Sequence, residues 1–206
     1  MWAIVTDNTI TKTFNNPRGL IIDNIQYSRN IFSFRWSNEE REAIGIYEVV
    51  FNNTNKKDEA YYINTNQSFA FADGVVTASY GSATAKAHAD TTWTQEEIDA
   101  LDDAGDLEAG DIKTRGLKYN LIKTLKSQAA SILAQTDWYI VRKADANTAV
   151  PSAITTHRAA VRTKCAEMET AITNSSNTAA IETLYTHTTD EDGVSSRPLG
   201  NLPEAV

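Results

Sequence analysis

The fold class depends most strongly on residues 112–143, which read IKTRGLKYNLIKTLKSQAASILAQTDWYIVRK. Apolar side chains recur there at three- and four-residue spacing, the period that places them on one face of an α-helix. We therefore expect a long amphipathic helix in this stretch. The residues of its apolar face are Leu117, Leu121, Leu125, Ala129 and Ile132.

A second helix is expected to begin at Pro151, because proline suits the first position of a helix. Asn177 or Thr178 can cap a short third helix that runs to Tyr185. Two antiparallel helices and a short third can bury one another's apolar faces, which predicts a helical hairpin. The buried face of the second helix would hold Ile154, Val161, Cys165, Met168 and Ile172.

The first ninety residues carry strand and turn signals. The pairs Asp7-Asn8 and Asp73-Gly74 each separate two runs of β-branched and aromatic residues, which predicts two β-hairpins. Between them, Ser37 with Glu40 three residues later matches a capping box at the start of a short helix. Gly45 is suited to end that helix.

Residues 94–111 hold eight acidic side chains and no Lys or Arg, a composition typical of a solvated linker. Thr94 and Glu97 could cap one short helix within it. From Thr188 onward the chain is polar and turn-rich, which predicts an extended tail whose order would need an outside contact. The expected fold is α+β: a small β-rich domain at 1–90, an acidic connector at 91–115, and a helical-hairpin module with its tail at 116–206.

Charge and hydropathy restrict the partners. The chain has 27 Asp and Glu against 19 Lys and Arg, so its formal charge is −8. Such a surface repels phosphate backbones, and we expect no nucleic-acid partner. The N-terminus has no basic and apolar leader, and no apolar run reaches the length of a membrane span. Neither secretion by a signal peptide nor a membrane partner is expected.

The sequence offers no recognisable reactive centre. The three histidines, His88, His157 and His187, have no metal-ligand spacing, and Cys165 falls on the predicted apolar helix face. No phosphate-binding glycine loop and no nucleophile motif is present. We therefore expect a protein that is not an enzyme and that uses no cofactor or metal.

Aromatic and basic side chains are the candidates for an interface. Trp138 is expected to be a buried anchor at the junction of the helices, and Lys118, Lys123 and Lys126 are expected to meet acidic surface on the connector or on a neighbouring copy. A shallow groove lined by exposed rings of Trp36, Tyr61 and Tyr62 would instead favour a host-glycan-binding module. The aromatic candidates are Trp36, Tyr61, Tyr62, Trp138 and Tyr139.

Residues 135–144 read QTDWYIVRKA, and residues 150–162 read VPSAITTHRAAVR. These two stretches resemble a module of bacteriophage tail proteins, in which a helix runs into a TDW turn and a second helix begins after a proline. The likeness is to the C-terminal part of tail-fibre assembly proteins. Residues 64–71, 80–87 and 191–200 are similar to virion proteins of marine phages, including those that infect cyanobacteria.

The resemblance implies a non-enzymatic virion protein of the tail, made in the host cytoplasm. It would act as an adaptor between fibres and the tail or baseplate, with several copies in a symmetric assembly. The partners implied are other phage tail proteins, from the fibre, the baseplate or the tail tube. An assembly chaperone that leaves the mature particle is the alternative that the same resemblance allows.

Overall fold

A computed structural model describes residues 1–206 and divides the chain into two units, Met1–Thr84 and Ala85–Val206. Each unit has its own hydrophobic core. The structure is mixed in secondary structure, which confirms the predicted α+β class. None of its helices combines the length and the apolar character needed to cross a bilayer.

The first unit is built on a curled five-stranded sheet. Its strand order is β2-β1-β5-β8-β7, with β5 and β8 parallel and the other neighbours antiparallel. The elements are β1 (Trp2–Thr6), β2 (Thr9–Phe14), β3 (Leu20–Ile22), β4 (Ile25–Tyr27), a 3₁₀ helix (Arg29–Phe32), α1 (Asn38–Glu42), β5 (Ile46–Asn52), β6 (Tyr62–Ile63), β7 (Ser68–Ala72), β8 (Val75–Ser79) and β9 (Thr84–Ala85), the last crossing the division.

Both predicted hairpins are present. β1 pairs with β2 across Asp7 and Asn8, and β7 pairs with β8 across Asp73 and Gly74. All four turn residues have positive φ, as two-residue turns between twisted strands require. A third hairpin joins β3 to β4, and its short turn was not predicted.

The two faces of β1 enter different clusters. Ala3 and Val5 pack with Val49, Val76 and Ala78 from β5 and β8. Because successive side chains of a strand point to opposite faces, the alternate residues Trp2 and Ile4 pack instead against the cluster around Phe14 and Ile46. β1 is therefore covered on both sides, which explains its apolar run.

The short helix α1 has the predicted capping box. The Ser37 backbone N–H donates to Glu40 Oε2 at 2.7 Å, and the Glu40 backbone N–H donates to Ser37 Oγ at 3.2 Å. Gly45 follows with φ of +78° and returns the chain to β5. Its carbonyl accepts a 2.8 Å hydrogen bond from the Val5 backbone N–H, so the turn is joined to the sheet.

The second unit is mainly helical. Its central pair, α3 and α5, packs along the apolar faces that the sequence predicts, with Leu125, Met168 and Ile172 buried together. The elements are β10 (Thr91–Thr92), α2 (Gln95–Asp99), β11 (Ile112–Thr114), α3 (Leu117–Ala134), α4 (Asp137–Ala146), α5 (Ser152–Asn174), α6 (Thr178–Tyr185), β12 (Thr188–Thr189) and β13 (Ser195–Ser196). Asn177 caps α6, as predicted: its Oδ1 accepts from the Ala180 backbone N–H at 2.8 Å.

The segment predicted as an acidic connector lies within the second unit. β10 pairs with β11, and the backbone of Trp93 exchanges hydrogen bonds with Gly110 and Asp111. The helix predicted from Thr94 and Glu97 is α2, and its Ile98 is buried. These backbone hydrogen bonds and this burial give the acidic stretch a defined conformation, which its charge did not predict.

The expectation that the C-terminal tail needs an outside contact is wrong. Leu199 is only 3% exposed and joins the cluster of Leu125, Met168 and Ile172. The Leu199 backbone N–H donates to the Leu184 carbonyl at 3.0 Å, and Arg197 Nε donates to the Gly200 carbonyl at the same distance. The pairing of β12 with β13 and the packing of Leu199 and Leu202 against the helices give the tail its conformation within the chain, and no periodicity in the tail sequence marks these residues.

Asp90 supports the start of α3, whose N-cap residue Gly116 has no side chain to offer. Asp90 Oδ1 accepts from the Gly116 backbone N–H at 2.8 Å, and its Oδ2 accepts from Arg115 at 2.6 Å. The next two helix N–H groups, of Leu117 and Lys118, donate to the carbonyls of Ala87 and His88. The orphan donors of the first turn are thus satisfied by the preceding segment.

We expect Gly45→Ala to destabilise the first unit more than Gly74→Ala. Both residues have φ near +77°, where a Cβ costs roughly 1–2 kcal/mol. At Gly45 the added Cβ would also lie 2.6 Å from the Val5 carbonyl oxygen, whereas nothing lies within 4 Å at Gly74. The overlap should add about 1–3 kcal/mol. Urea unfolding of both variants measures the difference, and equal losses would contradict the steric cost at Val5.

Low pH should lower the free energy of unfolding of the second unit, because Asp90 loses its negative charge. The backbone hydrogen bond from Gly116 and the hydrogen bond from Arg115 lower the pKa of Asp90 below its ordinary value of 3.8. A carboxyl with a lower pKa in the folded state stabilises that state above its unfolded pKa and loses the contribution as the pH falls through its folded pKa.

The melting temperature of the wild type should therefore fall more steeply than that of Asp90→Asn below about pH 4. Glu96→Gln removes a neighbouring exposed carboxylate and serves as the matched control. Parallel pH profiles of wild type and Asp90→Asn would contradict the role of Asp90.

Candidate functional site: an exposed aromatic surface on α4

The junction between α3 and α4 is held by one buried arginine. Arg158, on α5, is 6% exposed. One of its terminal nitrogens donates to the Leu133 carbonyl and to Thr136 Oγ1, both at 2.7 Å, and the other donates to Asp137 Oδ1 at 2.8 Å. Because three acceptors from the junction meet one rigid, planar guanidinium, the direction in which α4 leaves α3 is restricted.

Thr136 and Asp137 have different roles in this contact. Thr136 is 2% exposed, and its hydroxyl donates to the Leu133 carbonyl at 3.0 Å while accepting from Arg158. The Asp137 side chain keeps 57% of its area exposed and lies in the first turn of α4, where a negative charge complements the helix dipole. The ion pair with Arg158 is thus partly solvated, the contact to the Leu133 carbonyl is part-buried, and the contact to Thr136 Oγ1 is buried.

The residues that follow form the aromatic surface, which we define as residues 138–142. Trp138 is 51% exposed, and Ile140 and Val141 are also exposed. The rings of Trp138 and Tyr139 lie 3.7 Å apart between centroids, and the Arg142 guanidinium carbon lies 4.8 Å from the Trp138 ring centroid. No residue of α4 is fully buried, although four aromatic and aliphatic residues follow one another in its first turns.

A comparison with protein families, curated proteins and solved structures gives no match. The likeness to phage tail proteins therefore stays a prediction from the residues quoted above.

The prediction that Trp138 is a buried anchor is wrong. Half of the Trp138 side chain faces solvent, whereas Arg158, Thr136 and Asp137 hold the junction. Tyr139 is half-buried beside it, also within 5.4 Å of the Arg142 guanidinium. Both aromatic residues therefore stay candidates for an interface, but for a surface contact and not for the internal core.

Two of the three rings that would line a glycan-binding groove are covered by the fold. Tyr61 and Tyr62 are buried, with Tyr62 only 5% exposed, and Trp36 packs edge-on against Tyr27 at a ring distance of 6.2 Å. Trp36 is half-buried. The glycan-binding alternative needs exposed rings at these positions, and Tyr61 and Tyr62 do not provide them.

Two of the three predicted lysines pair with α5 of their own chain. Lys118 Nζ donates to the Thr173 carbonyl at 2.8 Å, and Lys126 Nζ lies 2.7 Å from Glu169 Oε1. Lys123 is exposed. The acidic segment instead pairs through Glu97 with Lys113, so the expectation that these lysines meet it within one chain is wrong. The reason is that the side of α3 that carries Lys118 and Lys126 lies next to α5.

Sequence reasoning missed Arg158 and Arg142. Arg158 lies on the predicted buried face, between Ile154 and Val161, and a charge at such a position signals a buried partner set. Arg142 carries no comparable signal, because its position over Trp138 and Tyr139 depends on the helix geometry of α4.

Cys165 is half-buried, and burial raises the pKa of its thiol, which disfavours the nucleophilic thiolate. No group of three or more His, Cys, Asp and Glu side chains is arranged to hold a metal ion. A depression of about 680 Å³ in the first unit is an open groove lined by residues of β1, β2 and β3. Neither Cys165 nor this groove brings several titratable side chains together. The aromatic surface combines exposed apolar area with the positive charge of Arg142, so it is the better candidate for a binding site.

Replacing Arg158 with methionine should lower the free energy of unfolding by about 1–3 kcal/mol, because the buried Thr136 hydroxyl and Leu133 carbonyl lose a charged donor. The half-exposed Asp137 should contribute little to the loss, since solvent screens it. Arg162→Met, at an exposed position one turn further along α5, is the matched control and should stay within about 0.5 kcal/mol. Urea unfolding followed by circular dichroism gives both values, and equal effects would contradict the structural role of Arg158.

Proposed function

We propose that this protein is a non-enzymatic attachment component of a bacteriophage tail, an adaptor between fibres and the tail or baseplate that is held in its assembly by the aromatic surface of α4. The phage assignment is supported by the sequence resemblance at residues 135–144 and 150–162. The attachment role is supported by one observation, the exposure of Trp138 and its neighbours on a helix that Arg158 holds in place.

The composition of α4 favours a covered surface. A helix with apolar residues around its circumference is normally buried, because each exposed apolar side chain orders or displaces water unfavourably. Trp138, Tyr139, Ile140 and Val141 follow Asp137 at steps of about 100°, so apolar side chains point in several directions around the start of the helix. Tryptophan, tyrosine and arginine are also the residue types that contribute most to protein–protein binding.

The rigidity of the junction supports binding as well. A surface that must be ordered on contact loses affinity to conformational entropy. Arg158 restricts α4 before any partner arrives, and Arg142 already lies over the two rings. The aromatic surface is therefore preorganised, which lowers the entropic cost of binding a partner.

The test uses particles of the phage that encodes the chain. Mass spectrometry of purified particles should detect the wild-type protein, and Trp138→Ala should reduce its incorporation by at least roughly tenfold. The Trp138 side chain is half exposed, so the free energy of unfolding should fall by only about 1–2 kcal/mol. Tyr119→Ala, an exposed aromatic on α3, is the matched control and should incorporate normally.

Two results would contradict the proposal. Normal incorporation of Trp138→Ala would show that the aromatic surface is not the joint. Absence of the wild-type protein from particles whose assembly requires it would favour the alternative, an assembly chaperone that departs before the particle is complete.

A further inference from the structure

The second unit carries another exposed apolar surface, and it has the opposite charge. We define the acidic leucine surface as Leu101 and Leu107 with the exposed carboxylates around them. Both leucines are exposed, at 39% and 36%. The neighbouring carboxylates are Asp102, Asp103, Asp106 and Glu108.

This surface is held in a defined conformation. Buried Ile98 and the capping box of α2 fix its start, and the backbone hydrogen bonds between Trp93 and residues 110–111 fix its end. Lys113, in β11, links these two ends. Its ammonium lies 2.6 Å from Glu97 Oε1 and 4.4 Å from the Trp93 ring centroid.

The carboxylates of the acidic leucine surface have no basic partner within the chain. The nearby cations Lys113 and Arg115 pair with Glu97 and Asp90, which lie outside this surface. Asp103 accepts only the backbone N–H of Gly105. The negative charge around Leu101 and Leu107 is therefore not neutralised.

The aromatic surface shows the converse pattern. Arg142 and the following Lys143 form no ion pair in the chain, and Arg142 Nε is buried without a hydrogen-bond partner. Exposed apolar side chains with unpaired cations thus occur on α4, and exposed apolar side chains with unpaired anions occur at residues 101–108. Each surface supplies what the other lacks.

We propose that the acidic leucine surface of a second copy of this chain covers the aromatic surface. The leucines would pack on Trp138 and Val141, and the carboxylates would pair with Arg142 and Lys143. Because the whole chain has a charge of −8, most other approaches of two copies are repulsive, which makes this contact selective. The inference rests on the proposed function and names the partner of the same surface.

Because every copy carries both surfaces, two opposite charge reversals provide the test. One variant is Arg142→Glu/Lys143→Glu, and the other is Asp102→Lys/Asp106→Lys. Alone, each would bring like charges together and should weaken self-association at least roughly tenfold. Mixed in equal amounts, they should associate again, because each reversed surface then finds an opposite one.

Sedimentation velocity of the full-length chain at low and high salt measures the association. Lys12→Glu/Lys123→Glu reverses two exposed charges outside both surfaces and changes the net charge as much as the first variant. This control should associate like the wild type, and association of the wild type should weaken as salt rises. Circular dichroism of each variant verifies folding before the comparison.

A wild-type chain that stays monomeric at high protein concentration would overturn the inference, as would a mixture that associates no better than the separate variants. In either case, Trp138-dependent incorporation into particles would leave the proposed function standing with a different partner. Loss of Trp138 dependence with intact, charge-reversible self-association would instead overturn the attachment role and keep the contact between copies.

Discussion

Three hydrogen bonds from Arg158 hold the point where α3 ends and α4 begins. The buried guanidinium satisfies Thr136 and the Leu133 carbonyl and leaves Asp137 half in solvent at the start of α4. Leu133 and Thr136 precede α4, and Asp137 is its first residue, so the buried guanidinium joins α5 to both sides of the junction. The indole of Trp138, the next residue, remains half exposed.

The helical unit combines a small core with several local supports. Leu125, Met168 and Ile172 form its centre, and Leu199 from the C-terminal segment completes it. Asp90 and the carbonyls of residues 87–88 satisfy the start of α3, while Lys118 caps a carbonyl near the end of α5. Such contacts are polar and specific, so they determine where the helices begin and end, whereas the apolar cluster supplies most of the free energy.

Charge is distributed unevenly over this unit. Lys118 and Lys126 contact α5 from α3. Lys113 and Arg115 form ion pairs with Glu97 and Asp90. Arg142 and Lys143 on one side, and the carboxylates of residues 102–108 on the other, are left for contacts beyond the chain. A protein that acts by attachment needs such remaining charge beside its exposed apolar side chains, since charge selects the partner and apolar area holds it.

The sequence by itself determined what depends on near neighbours. The hairpins at Asp7-Asn8 and Asp73-Gly74, the capping boxes at Ser37 and Thr94, and the apolar faces of α3 and α5 arise from residues within a few positions of one another. Only the tertiary structure decided the burial of Tyr61, Tyr62 and Leu199 and the exposure of Trp138. Burial depends on which distant segments cover a side chain, and an aromatic or aliphatic residue has the same local signature whether it is covered by its own fold or left at the surface.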